Sequence, residues 1–197
     1  MNESPKPPVL PLLVALVALA LSACSSEEPP LQGAAIGGPF ALTDQDGRRV
    51  TDRDFAGRYR IMYFGFTHCP DVCPTDLAVI GQALRRFEKS DPKRAARVVP
   101  VFVSVDPERD SPAVLKEYVQ SFHPRLVGLT GTPRQLAEMT RRYGAYGARE
   151  ASAEGGSYNV NHSRLAELIG PQGEPIALLP YEKGAEAVAA ELDRWVR

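Results

Sequence analysis

Two thiols with three residues between them stand in the stretch Phe66-Thr67-His68-Cys69-Pro70-Asp71-Val72-Cys73-Pro74. Paired sulfurs select Cu(I), zinc or iron–sulfur clusters over hard cations, and they also make and break disulfides. A C-x-x-C pair on a strand-to-helix turn would read as a thioredoxin-type redox motif. The C-x-x-x-C spacing here is a wider turn, able to close a disulfide and also suited to aim two sulfurs at one metal ion. Two buried structural cysteines, or an inert disulfide, are the plain alternative. Two thiolates alone make an incomplete copper or zinc site, so a third ligand is expected, and the chain has three histidines. His68 adjoins Cys69, but neighbouring side chains on extended backbone point to opposite faces. His123, in Phe122-His123-Pro124, reads as a capping or surface residue at a helix end, where a cation complements the dipole. His162 lies between a polar loop and a late strand, and spacing alone does not bring it to the thiols.

The thiols need a strand before them and a helix behind. Arg60 to Phe66 reads as a buried central strand, and from Leu77 the apolar positions Val79, Ile80, Ala83, Leu84 and Phe87 recur at helical spacing. The cysteines then sit at the carboxyl end of a strand, where open α/β sheets place their ligands. Pro70 and Pro74 disfavour helical angles at Cys69 and Cys73, and Pro74 suits the first helical position. This places Cys73 at or near the N-cap, where the positive end of the helix dipole favours thiolate. Asp71 reads as a turn carboxylate stabilising the helix start rather than as a proton carrier.

Around this centre the chain alternates strands and helices. Phe40 to Val50 reads as a hairpin closed by Asp46-Gly47, Val98 to Val105 as a strand covered on both faces, and Ser111-Pro112 as the start of a helix carrying Val114, Leu115, Tyr118, Val119 and Phe122. Leu126 to Leu129 is a short strand, and Thr132-Pro133 caps a helix through Tyr143. Gly144 to Ser157 reads as a mobile polar loop. Leu165 to Ile169 and Pro175 to Leu179 form a hairpin, with Arg164 and Glu167 unusually polar for such a strand, and a last helix runs from Gly184 to Trp195. The pattern predicts an α/β fold with a central mixed sheet flanked by helices and an N-terminal hairpin. The run Asp106 to Asp110 is expected to order a loop near the thiols. Tyr143, Tyr146 and Tyr158 read as core or loop packing rather than a docking surface.

Phe64 to Pro74 resembles the signature of the Sco/SenC family, thioredoxin-fold copper proteins that help assemble cytochrome c oxidase. Val105-Asp106-Pro107-Glu108-Arg109-Asp110-Ser111-Pro112, Leu126 to Gly131 and Asn161-His162-Ser163 continue the likeness in order, over about Ala35 to Val196. The resemblance implies a thioredoxin-like fold binding one copper, Cu(I) or Cu(II), through Cys69, Cys73 and the histidine of an Asp-His-Ser/Thr segment, matched here by His162. Asn161 stands where the family commonly has Asp, which removes a negative charge beside the metal.

The N-terminus reads as an address. Val9 to Leu21 is an apolar stretch of 13 residues, short of the ~20 that span a bilayer, and it leads into Leu21-Ser22-Ala23-Cys24, which resembles a bacterial lipobox. The expected organisation is a signal peptide over 1–23, a lipidated Cys24 opening a flexible tether over 24–38, and one domain over 39–197. Removing Cys24 to a lipid leaves only the motif pair among three cysteines, as suits an exported protein facing the periplasm or extracytoplasmic space. With a net charge of −1 and no basic patch, nucleic-acid binding has no support. Two functions remain open: a membrane-tethered copper chaperone for the binuclear copper site of cytochrome c oxidase, and a thiol-disulfide reductase that uses Cys69 and Cys73 to keep that site's cysteines reduced. A redox-sensing thioredoxin-like protein is a weaker third. The resemblance implies the copper-bearing oxidase subunit as partner, with other periplasmic copper carriers or thiol reductants as further candidates.

Overall fold

Seven consecutive buried residues, Tyr59–Gly65, form the strand (β3) from which the cysteine turn hangs. The computed structural model describes residues 27–150 and 158–197, so Cys24 and the apolar stretch before it lie outside the described residues. In chain order β1 (Ala41–Asp44) and β2 (Arg49–Thr51) precede β3, and α1 (Val72–Ser90), α2 (Pro92–Ala95), β4 (Val98–Ser104), α3 (Pro112–Gln120), β5 (Val127–Thr130) and α4 (Pro133–Arg142) follow it. The remaining elements are β6 (Gly147–Arg149), β7 (Val160–His162), β8 (Ala166–Ile169), β9 (Pro175–Leu178) and α5 (Ala185–Trp195).

The main sheet has the order β2-β1-β5-β4-β3-β8-β9. β3, β4 and β5 run parallel, while β1, β8 and β9 pair antiparallel with their neighbours. β3 and β4 are apolar without interruption because helices cover both faces of the sheet. Ile61 and Tyr63 point to the side packed by Leu77, Ile80 and Leu84 of α1 and by Val188 and Leu192 of α5. Met62 and Phe64 point to the other side, against Leu136 and Met139 of α4 and against Phe40 and Phe55. This is the mixed, helix-flanked α/β thioredoxin-like architecture that the sequence predicts, with β1 and β2 as the N-terminal hairpin. Gly47 closes that hairpin at φ +78°, a left-handed conformation that glycine adopts without steric penalty.

Local capping follows the sequence. Ser111 Oγ accepts from Val114 N at the start of α3, and Thr132 and Gln135 form a reciprocal capping box at α4. Three expectations change. Part of the predicted mobile loop is a strand, because Gly147–Arg149 pairs with Val160–His162 in a separate two-stranded ribbon. Part of the expected tether is docked, since Leu31 N donates to Ile176 O and Gly37 N to Arg142 O. His123 is buried rather than at the surface; its Nδ1 accepts from Arg125 N, and burial holds its pKa below the ordinary value. No helix among the described residues is long and apolar enough to cross a membrane.

Candidate metal centre

β3 ends at Gly65, and the chain turns through Phe66 to Asp71 into α1. Gly65 is required by packing: a Cβ there would lie 2.7 Å from Cys73 Sγ and 3.0 Å from the Phe102 ring. The first turn of α1 can therefore rest directly on the strand end. Cys73 is fully buried and Cys69 nearly so, both thiols are free, and Cys73 N lies 3.4 Å from Cys69 Sγ.

The helix begins two residues earlier than predicted. Asp71 is the N-cap, Cys73 the second helical residue and Pro74 the third. Proline is tolerated there because the first four N–H groups of a helix have no intrahelical partner. Asp71 makes no side-chain cap; instead Thr75 Oγ1 donates to its carbonyl. The expected thiolate environment is reversed as well. Burial pushes the Cys73 thiol well above its ordinary value, and the neighbouring Cys69 adds to the rise, against a smaller opposing effect of hydrogen bonding to the Phe66 backbone. Desolvation outweighs the helix dipole here.

The third member arrives from the ribbon. His162 ends β7, its Nε2 lies 3.3 Å from Cys73 Sγ, and its Nδ1 lies 2.9 Å from Ser163 O. A carbonyl only accepts, so that second contact puts a proton on Nδ1 and turns Nε2 toward the sulfurs. The Phe66 ring meets the imidazole edge-on at 5.6 Å. One donor atom from each of Cys69, Cys73 and His162 lies within 4.8 Å of the others, a group that could hold a metal ion. Two sulfurs and one imidazole nitrogen are a soft donor set suited to copper or zinc. His68 is not part of this group; its Nδ1 faces Thr67 Oγ1 at 3.0 Å and half of its side chain is exposed.

Several positioning side chains had no role in the sequence reading. Asp76, buried on α1, accepts from Tyr63 OH at 2.8 Å and from Arg164 Nη2 and Nε at 2.8 and 3.1 Å. Tyr181 OH donates to the Arg164 carbonyl at 2.6 Å. Asp76 thus fastens the segment just after His162 to the cysteine helix. Its signal was present in the sequence: a carboxylate on the apolar stripe of a helix needs a buried partner. Asp110, fully buried, accepts from Thr67 Oγ1 and from Ser104 Oγ, both at 2.6 Å, so the Asp106–Asp110 loop braces the cysteine turn as expected. Tyr143 is core, Tyr158 packs in this loop, and Tyr146 is exposed beside the ribbon. Asn161 Nδ2 donates to Glu150 Oε1, so a carboxylate from β6's side stands next to the amide.

Residues 28–197 match the family model described as SCO1/SenC. The chain belongs to the SCO1/SenC family. Among relatives of this family, Protein SCO1 homolog 1, mitochondrial, of Arabidopsis thaliana is 44% identical over 146 residues, 74% of this chain and 42% of that protein. The chain spans about half the length of the curated relatives it matches. Bradyrhizobium japonicum ScoI with copper bound superposes over 81% of this chain and 99% of that one, with a TM-score of 0.73 and 41% identity. BsSco, described as a member of the Sco family of cytochrome c oxidase assembly proteins, covers 85% of this chain and 97% of its own, with a TM-score of 0.63. At 22% identity that likeness carries the fold alone.

Proposed function

We propose that this protein is a copper chaperone that holds one copper ion through Cys69, Cys73 and His162 and delivers it to the binuclear copper site of cytochrome c oxidase. The carrying observation is the convergence of two thiol sulfurs and one imidazole nitrogen within 4.8 Å at the end of β3. Copper-bound ScoI, at 41% identity, supports copper as the metal, and the family resemblance supports the oxidase as acceptor. Three protein donors leave a coordination position through which an acceptor's ligand can enter before the others leave. A cation must displace the proton that burial keeps on Cys73, so loading releases a proton. In this reading Cys24 carries a lipid that tethers the domain on the extracytoplasmic side of the membrane. An unchanged lipid-modified mass in a Cys24→Ser variant overturns the tether.

The competing reading, a thiol-disulfide reductase for the acceptor's cysteines, uses the same two sulfurs. His162 separates the two, because disulfide exchange needs no remote imidazole. In a deletion strain at limiting copper, His162→Ala should lose oxidase activity and bind copper at least ~10-fold more weakly, while Cys69 and Cys73 still oxidise and reduce. Full rescue by His162→Ala, with the cysteine variants inactive, sinks the chaperone and promotes the reductase.

A further inference from the structure

His162 is carried by a ribbon of only three paired positions, outside the main sheet, and so requires side-chain fastening. Downstream, Arg164 is bound to Asp76. Upstream, Arg149 of β6 lies 3.7 Å from the centroid of the Tyr158 ring and its Nη1 donates to Glu108 Oε2 at 2.9 Å, while Arg109, in the loop after β4, also reaches the cysteine turn. Arg109 Nε donates to the buried carboxylate of Asp106, its Nη1 donates to the Tyr158 carbonyl at 3.0 Å, and its guanidinium lies 3.8 Å from the centroid of the Tyr158 ring. Tyr158 OH in turn donates to Asp106 Oδ1 at 2.7 Å. The same guanidinium lies 5.5 Å from the centroid of Phe66, whose ring abuts the imidazole of His162. Arg109 therefore touches both the strand end that leads to Cys69 and the segment that leads to His162.

We infer that Arg109 is a positioning residue: it bolts the His162 arm to the cysteine turn through Tyr158 and Phe66, and so sets the third donor for the metal without itself reaching it. This rests on the copper reading above. A guanidinium suits the task because its plane stacks on a ring while its edge donates to a carboxylate and a carbonyl at once. The ribbon's three paired positions are extended by Glu150 N donating to Asn159 O and Ser163 N to Tyr146 O, and Arg109 links the upstream end of this arm to the cysteine turn.

The test is a double-mutant cycle on the purified domain, read by competition with a chromophoric copper(I) chelator and checked for folding by melting temperature. Arg109→Gln should weaken copper(I) binding by about 10-fold in the wild-type background, and by much less in a His162→Ala background, because it acts through that imidazole. A charge effect on the thiolates would persist without His162, so equal losses in both backgrounds overturn the inference. Tyr158→Leu leaves the Arg109 charge in place and should give the same loss, non-additive with Arg109→Gln; an additive loss counts against the bolt. In the metal-free protein, backbone order parameters over Val160–His162 should fall from about 0.85 toward 0.6 in Arg109→Gln. Unchanged order there, or unchanged copper affinity, overturns the proposal. If the wild-type domain takes up no copper, the chaperone reading falls with it; coupling absent in a domain that does load copper removes only this inference.

Discussion

Cys69 and Cys73 hang from the turn between β3 and α1, a strand buried along its whole length and the longest helix of the described chain, and Gly65 lets the two meet at van der Waals contact. His162 hangs from a ribbon of three paired positions, held in place by Asp76–Arg164 on one side and Arg109–Tyr158 on the other. One half of the centre is positioned by backbone and core, the other by side-chain bonds at the surface of the domain. Core placement spreads the positioning of the thiols over many packed contacts. Side-chain placement yields to the loss of one polar partner. On the chaperone reading proposed above, this asymmetry puts two donors on the core and the third on the arm.

The largest effect should follow loss of a fixed donor. Cys73→Ala leaves one thiolate and one imidazole, a poor copper(I) site, and should bring copper per domain close to zero after a desalting step, as measured by atomic absorption. Wild-type stoichiometry and affinity in this variant would falsify the placement of the metal. A smaller effect should come from the glycine beneath it. Alanine in place of glycine ordinarily helps a strand by up to ~1 kcal/mol, but in Gly65→Ala the new methyl meets Cys73 Sγ at 2.7 Å and Phe102 at 3.0 Å. Overpacking of this kind takes away ~1–3 kcal/mol, so the clash wins. Urea denaturation should show a net loss, with copper binding weakened as Cys73 shifts. A neutral or stabilising Gly65→Ala would mean that strand and helix have slack between them.

The fixed half of the site was the legible half. A continuous apolar run and a period-3.6 pattern gave β3 and α1, and the thiols followed from their place between them. The helix start was misplaced by two residues because Pro74 can occupy any of the first few helical positions. The Cys73 thiol was misjudged because a sequence displays a dipole more readily than burial. The arm was not legible from spacing. His162 stands 89 residues from Cys73, and only family resemblance joined them. Asp76 could be suspected from its place on the apolar stripe of α1, but its partner Arg164, and the role of Arg109, exist only once tertiary structure brings the arm within reach.

Glu167 supplies the control, since it should alter the stability of the domain and leave the centre alone. It pairs with Met62 across β3 and β8 and so points to the sheet face opposite α1 and the thiols. Its carboxyl is buried, has no hydrogen-bond partner and forms no ion pair among the described residues. Burial pushes its pKa up to about 8 from an ordinary 4.5. In the unfolded chain this group ionises above pH 4.5, while in the folded chain it keeps its proton to about pH 8, so folding takes up a proton between these values. Below pH 4.5 both states are protonated and stability is unaffected; as pH rises from 4.5 to 8 stability falls, by at most ~5 kcal/mol at 1.36 kcal/mol per pH unit. Glu167→Leu removes that term and fills the site with an apolar side chain. It should raise the urea midpoint modestly near pH 4.5, where the protonated carboxyl still lacks a partner, raise it progressively further toward pH 8, and leave copper affinity at the wild-type value throughout. A gain of equal size at every pH would mean that Glu167 acts by its shape and not by its proton, and a change in copper affinity would mean that the two faces of the sheet are coupled.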